Sequence, residues 1–147
     1  MMLVLVLFYL YGSIPYATIV SRYLVGKKME EEGSGSVGVA NTYMNAGMMA
    51  GSLTVAGEVS KGLLPLLLSY LYFDYSVLAS SLFLAASLLG TNFSIYNRLL
   101  GGMGTTMVLW SLLIISPFSL FGILVVLFAS YFRNKDTFWM TVITYAS

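Results

Sequence analysis

The sequence predicts an all-α protein, a polytopic bundle of transmembrane helices, and three observations carry that expectation. Hydrophobic residues make up 59% of the 147-residue chain, charged residues only 9%, and the mean hydropathy is +0.87. A soluble domain carries about 25% charged residues. The apolar residues fall in blocks that approach the ~20 residues needed to cross a bilayer, and polar, glycine-containing stretches separate those blocks. One integral membrane domain over residues 1–147 is expected, because several spans leave no length for a separate soluble module.

About five spans follow in order. Met1 to about Val25 is the first, interrupted by Gly12-Ser13 and Pro15. It lacks a basic n-region and further spans follow it, so it reads as a retained helix rather than a cleaved leader. Arg22, Lys27 and Lys28, then Glu30-Glu31-Glu32, lead out of the hydrocarbon into the loop Gly33-Ser34-Gly35-Ser36-Val37-Gly38-Val39-Ala40-Asn41. The second span, about Ala46 to Phe73, carries Glu58 and Lys61, whose i, i+3 spacing puts them on one helix face. Asp74 sits in a turn, and the third span covers about Ser76 to Gly90. A second polar stretch, Thr91 to Thr106, holds Arg98 and Gly101-Gly102-Met103-Gly104. The fourth span, about Thr105 to Ile115, ends before Ser116-Pro117, and the fifth covers about Phe118 to Phe132. Arg133-Asn134-Lys135-Asp136 closes it, and Phe138 to Ser147 is a partial apolar segment too short to span alone.

Alternating spans test this count against charge. Arg22, Lys27, Lys28, Arg98, Arg133 and Lys135 all fall on one side, and the opposite turns hold only Asp74 or no charge. The positive-inside rule then puts the N-terminus outside and both glycine-rich loops in the cytoplasm, facing one another across a single surface of the plasma membrane. With no Cys and no His, the chain has no thiol nucleophile, no disulfide and neither of the commonest metal ligands. No metal and no cofactor is expected. A net charge of +1 gives no argument for nucleic acid.

Three features are suited to chemistry. In the first loop, Gly33, Gly35 and Gly38 allow consecutive backbone amides to converge on an anion, and Ser34, Ser36 and Asn41 add donors. A helix beginning just after Asn41 would add a favourable dipole for phosphate. The same composition also suits a flexible linker, and no Gly-Lys-Ser/Thr follows that would make it a P-loop. In the second span, Glu58 and Lys61 are charges in a bilayer, which are costly and therefore paired or turned to a cavity. They read either as a structural ion pair or as an anion site centred on Lys61. In the third feature, Asn92, Arg98, Gly101, Gly102, Gly104 and Thr105 offer donors near a helix start, with Arg98 alternatively a topology anchor. A transport route through Glu58 and Lys61 fits less well, because the loops are single-sided and no inverted repeat is visible.

Taken together, Gly12-Ser13-Ile14-Pro15, the first loop through Asn41, Gly47, Glu58-x-x-Lys61-Gly62, Gly90-x-x-Phe93 and Gly101-Gly102-Met103-Gly104-Thr105-Thr106 resemble, in order and spacing, the PlsY acyl-phosphate:glycerol-3-phosphate acyltransferases. The resemblance covers almost the whole chain. It implies an enzyme of phospholipid biosynthesis that moves a fatty acyl group from acyl phosphate to glycerol 3-phosphate, giving lysophosphatidic acid without metal or acyl-CoA. It also implies catalytic roles for Ser34, Asn41 and Lys61, with Gly33, Gly35, Ser36, Gly38, Glu58, Gly101, Gly102, Gly104 and Thr105 about the phosphates. The chain departs from the family pattern where Ser36 stands for Asn, Met44 for Arg, Thr91 for His, Ser94 for Pro and Met103 for Lys, and Glu58 replaces an aspartate. It also stops near the family's sixth span, which leaves a second copy or a partner subunit as a source of the remaining helices. Met supplies neither charge nor hydrogen-bond donors. The alternative is therefore a paralogue that binds a phosphate-bearing ligand or lipid without acyl transfer.

Overall fold

The structure is a computed structural model, and it describes residues 1–74 and 76–116 together with 118, 121 and 125. Every regular element among the described residues is helical. Met2–Gly12 forms α1 and Tyr16–Val25 forms α2. The sequence reads these as one span. Together, Met2–Val25 is a 24-residue segment with mean hydropathy 1.9, long and apolar enough to cross a membrane. Pro15 divides it, because proline has no N–H and pushes the preceding residue out of the helical region. The broken end of α1 is closed locally: the Ser13 hydroxyl and the Ser13 N–H both donate to the Tyr9 carbonyl, at 2.8 and 2.9 Å. Such closure is required where lipid offers no partner.

A 3-10 turn at Met29–Glu31 precedes the first glycine-rich loop. Val39–Ala46 then forms α3 and Met48–Tyr72 forms α4, with Gly47 between them. The short α3 is not foreseen by the sequence reading, and it begins two residues before Asn41 rather than after it. Val77–Asn92 forms α5, a second 3-10 turn covers Ile95–Asn97, and Thr105–Ile115 forms α6. The segment Val77–Asn97 is the second that is long and apolar enough to cross, with mean hydropathy 1.5. At 25 residues α4 has the length for a span, and it carries Glu58 and Lys61 in its interior. The fourth predicted span coincides with the 11 residues of α6. The fifth predicted span and the partial C-terminal segment lie outside the described residues, apart from Phe118, Phe121 and Val125.

Small and hydroxyl-bearing residues pack the helices, as expected where lipid removes the hydrophobic drive for association. A Cβ at Gly12 would land on the Ser87 carbonyl, and one at Gly90 on the Tyr9 carbonyl, so α1 and α5 touch backbone to backbone. At the other end of this pair Phe8, Ala79 and Phe83 form an apolar cluster with Leu68 and Phe73 against it. The Phe8 and Phe83 rings are 5.1 Å apart, and Phe73 meets Phe83 edge-on at 5.3 Å. On the other side of α4, Gly62 admits Ser111 and Met107 of α6. Meanwhile Tyr23, Tyr72, Val77 and Leu78 are exposed, and Ser69, Ser80, Ser87 and Thr91 are buried, so the outer surface is the apolar one.

Pro65 lies inside α4. It has no N–H to give the carbonyl of Lys61, four residues earlier. The Ser87 hydroxyl of α5 donates to that carbonyl at 2.9 Å. The proline thus leaves one backbone acceptor open on α4, and the neighbouring helix fills it.

Candidate functional site

A small cavity opens where the break between α1 and α2, the middle of α4, the end of α5 and both glycine-rich segments meet. Its lining comprises Ser13, Ile14 and Pro15 from the break, Glu58 and Lys61 from α4, Thr91 and Ser94 at the end of α5, and Val37, Gly101 and Gly102 from the loops. The second glycine-rich segment is held there by close backbone approach. A Cβ at Gly101 would meet the Thr91 and Asn92 carbonyls, and one at Gly102 would sit 3.3 Å from the Val37 carbonyl. In the orientation its neighbours require, the Asn92 amide nitrogen donates to the carbonyls of Gly102, at 3.0 Å, and Met103, at 3.3 Å. The two loops therefore meet at the cavity.

Lys61 is the cation of the lining. It is 2% exposed, and its Nζ lies 2.7 Å from Glu58 Oε1, an i, i+3 pair one turn apart on α4. The face of the Tyr16 ring lies under the same ammonium, 5.3 Å from Nζ to the ring centre. An ammonium has three donors, and Glu58 accepts from it, so the pair is at once a structural ion pair and a partly uncommitted anion site. The hydroxyls of the lining are differently disposed. Ser13 donates to Tyr9, Thr91 to the carbonyls of Gly12 at 3.2 Å and Ser87 at 3.0 Å, and Ser94 to the Ser13 carbonyl. Their protons are committed to backbone, so toward the cavity they present lone pairs, suited to accept from a substrate hydroxyl.

The first loop is built around Asn41. The buried Asn41 Nδ2 lies within hydrogen-bonding distance of the carbonyls of Met29 (3.1 Å), Glu32 (3.0 Å) and Ser36 (2.8 Å). Its Oδ1 accepts from the Ser34 N–H at 3.2 Å and from Asn45 at 2.8 Å. Gly33 passes directly over these amides with φ +55, where any side chain would collide with Asn41 and Asn45. Asn41 thus clamps the loop, with its amide already engaged. Asn41→Ala is expected to cost about 2–4 kcal/mol from the carbonyls and N–H left unpaired, read as a lower melting temperature and faster proteolysis between Gly33 and Gly38.

Of the residues selected from sequence, Glu58, Lys61, Gly101 and Gly102 line the cavity; Gly33, Ser34, Gly35, Ser36, Gly38, Asn41, Gly104 and Thr105 do not. Ser34 is exposed at the loop tip, where its hydroxyl accepts from the Ser36 N–H at 3.4 Å. Val37 is the residue by which this loop reaches the cavity. Met44, 84% exposed, and Met103, 41% exposed, are outside the lining as well. Sequence reasoning missed Ser13, Thr91, Ser94 and Tyr16 as site residues. The polar interruption at Ser13-Ile14-Pro15 inside an apolar span was the available signal, since irregular backbone at membrane depth occurs where it is buried in protein or lines a cavity.

Comparison with known proteins places the chain in a family. The model of a family described as Glycerol-3-phosphate acyltransferase matches residues 2–146. Glycerol-3-phosphate acyltransferase of Syntrophotalea carbinolica is 31% identical over 114 residues, covering 78% of this chain and 58% of that protein. Glycerol-3-phosphate acyltransferase 2 of Moorella thermoacetica is 35% identical over 120 residues, covering 82% of this chain and 61% of that protein. The chain therefore spans about three-fifths of the length of these curated relatives. A crystal structure of PlsY (YgiH), an integral membrane glycerol 3-phosphate acyltransferase in its glycerol 3-phosphate form, superposes with a TM-score of 0.76. At 24% identity, with 99% of this chain and 73% of that one covered, this likeness speaks for the fold alone. With its helices arranged as in that membrane protein and its sequence matched almost from end to end, the chain belongs to the glycerol-3-phosphate acyltransferase family.

Proposed function

We propose that this chain is a membrane acyltransferase that moves a fatty acyl group from acyl phosphate to glycerol 3-phosphate, giving lysophosphatidic acid. The observation that carries the reading is the buried Lys61, held by Glu58 at a cavity that both glycine-rich segments border. In the reaction, the acceptor hydroxyl oxygen bonds to the acyl carbon, the bond from that carbon to the phosphate oxygen breaks, and the hydroxyl proton leaves with hydrogen phosphate. Lys61 supplies charge-assisted hydrogen bonding to phosphate. The lone pairs of Ser13, Thr91 and Ser94 orient the attacking hydroxyl, and Gly101 and Gly102 border the same space. Ser34, with Gly33, Gly35, Ser36 and Gly38, meets a phosphate from the solvent side of the loop that Asn41 clamps. Gly104 and Thr105 add the start of α6.

The same reading takes residues 1–147 as one domain of about five spans in the plasma membrane, with the N-terminus outside. Arg22, Lys27, Lys28 and Arg98 support a cytoplasmic face for the loops. Binding of a phosphate-bearing ligand without acyl transfer is the second reading. It is favoured by the pairing of Lys61 with Glu58, which cancels the charge of the lining, and by Met44 and Met103 where the family has cations. The test is lysophosphatidic acid formation by the purified chain in lipid, from palmitoyl phosphate and glycerol 3-phosphate. Product is expected, reduced in Ser34→Ala. Saturable glycerol 3-phosphate binding by folded protein without product selects the second reading.

A further inference from the structure

We infer that Tyr16 is a positioning residue for the acceptor phosphate: its ring face supports the Lys61 ammonium and leaves the donors that Glu58 does not take for the cavity. The inference rests on the proposed acyl transfer and concerns how its anion site is built.

The geometry begins with the helix break. Pro15 ends the interruption and Tyr16 is the first residue of α2, so the ring leaves the chain at a point set by the proline rather than by a helix free to slide. It lies flat against Gly57 of α4, where any Cβ would strike the ring. Gly57 is one turn before Lys61 on the same helix, so the ring reaches under Nζ without displacing α4. The ammonium then has Glu58 Oε1 at 2.7 Å on one side and the ring centre at 5.3 Å on another. A cation over an aromatic face within about 6 Å is attracted by the ring quadrupole, more strongly where water is excluded.

The ring is itself fixed from behind. The Ser60 hydroxyl donates to the Gly57 carbonyl at 2.6 Å, so its lone pairs receive the Tyr11 hydroxyl, also at 2.6 Å. Tyr11 in turn receives the Tyr16 hydroxyl at 3.5 Å. Each hydroxyl has one proton, and the chain runs in one direction, from Tyr16 through Tyr11 and Ser60 to the Gly57 carbonyl. The first link, from Tyr16 to Tyr11, is the longest and so the weakest. The contribution of Tyr16 to the site therefore comes from its ring more than from its hydroxyl, which separates the inference from a role in proton transfer.

The test uses the full chain in lipid, with steady-state kinetics for both substrates and glycerol 3-phosphate binding by calorimetry. Tyr16→Leu is expected to raise the KM for glycerol 3-phosphate about tenfold, with the KM for palmitoyl phosphate and kcat changing much less. Tyr16→Phe restores most of the lost affinity. Because Leu also removes packing, the deciding measurement is a series with phenylalanine, 4-fluoro-, 3,5-difluoro- and 3,4,5-trifluorophenylalanine at position 16, which keeps ring shape while draining the negative face. Affinity for glycerol 3-phosphate falls stepwise along the series if the ring supports Lys61. A flat series in a chain whose unaltered form turns over overturns the inference and leaves acyl transfer standing. An unaltered chain that neither binds glycerol 3-phosphate nor forms product overturns both.

Discussion

On the proposed reaction, Lys61→Met is expected to abolish most of the acyl transfer and to destabilise the protein, whereas Glu58→Gln together with Lys61→Met is expected to restore stability without restoring activity. The single change leaves a carboxylate buried beside a side chain of similar length with no charge. Removing one partner of a buried ion pair costs about 3–5 kcal/mol, because the remaining charge stays uncompensated. The double change replaces the charged pair by neutral groups of nearly the same shape, for which the cost is small or reversed. Activity follows the ammonium. Loss of a hydrogen bond to a charged group is worth about 1.5–3 kcal/mol, so kcat/KM falls roughly tenfold to a hundredfold or more in both variants. Melting temperatures in detergent and lysophosphatidic acid formation, taken on the same preparations, separate the two effects. Equal stability of the single and double variants would mean that Glu58 finds another partner.

Gly90→Val is expected to be the most damaging single change outside the cavity. The added Cβ falls on the Tyr9 carbonyl and beside the Ser13 N–H, both backbone atoms of a helix that cannot yield independently. Overpacking at such a site costs about 3 kcal/mol, the upper end of the usual range, and close approach at small residues is what holds membrane helices together. The displacement also separates Thr91 from Gly12 and Ser94 from Ser13, contacts that position the lining. Gly26→Ala is the control: Gly26 has φ +70 but open space around it, so strain of about 1–2 kcal/mol is the whole cost. A far larger fall in melting temperature for Gly90→Val than for Gly26→Ala is the expected result. Comparable falls would show that the α1 to α5 contact is compliant.

The helical class was legible because hydropathy is a property of each segment taken alone. The second predicted span, Ala46 to Phe73, differs from α4 by two residues at the start and one at the end, and the fourth coincides with α6. Glu58 and Lys61 were legible as a pair because i, i+3 spacing on a helix fixes their proximity before any tertiary contact forms. What the sequence did not reveal depends on contacts distant along the chain. Ser94 and Thr91 become lining because their hydroxyls reach carbonyls at Ser13 and Gly12, about eighty residues away. Asn41 is of a type suited to bind phosphate, yet the carbonyls of Met29, Glu32 and Ser36 converge on it once the loop closes. Polar residue type predicted a binding loop, and the backbone claimed much of that polarity for itself. Val37, the apolar member of the loop, is the one that reaches the cavity.

Pro65 has a consequence for biosynthesis. With α4 as one of the proposed spans, the Lys61 carbonyl has no donor until Ser87 arrives, and an unsatisfied backbone group in hydrocarbon costs several kcal/mol. The donor lies twenty-six residues further along the chain, on the far side of a short turn. A nascent α4 released into lipid by itself would carry that open acceptor in addition to its two charged side chains, and α5 relieves it on arrival. On that proposed span, the α4 and α5 hairpin is the favoured unit of insertion, because the donor follows its acceptor by twenty-six residues in the order of translation.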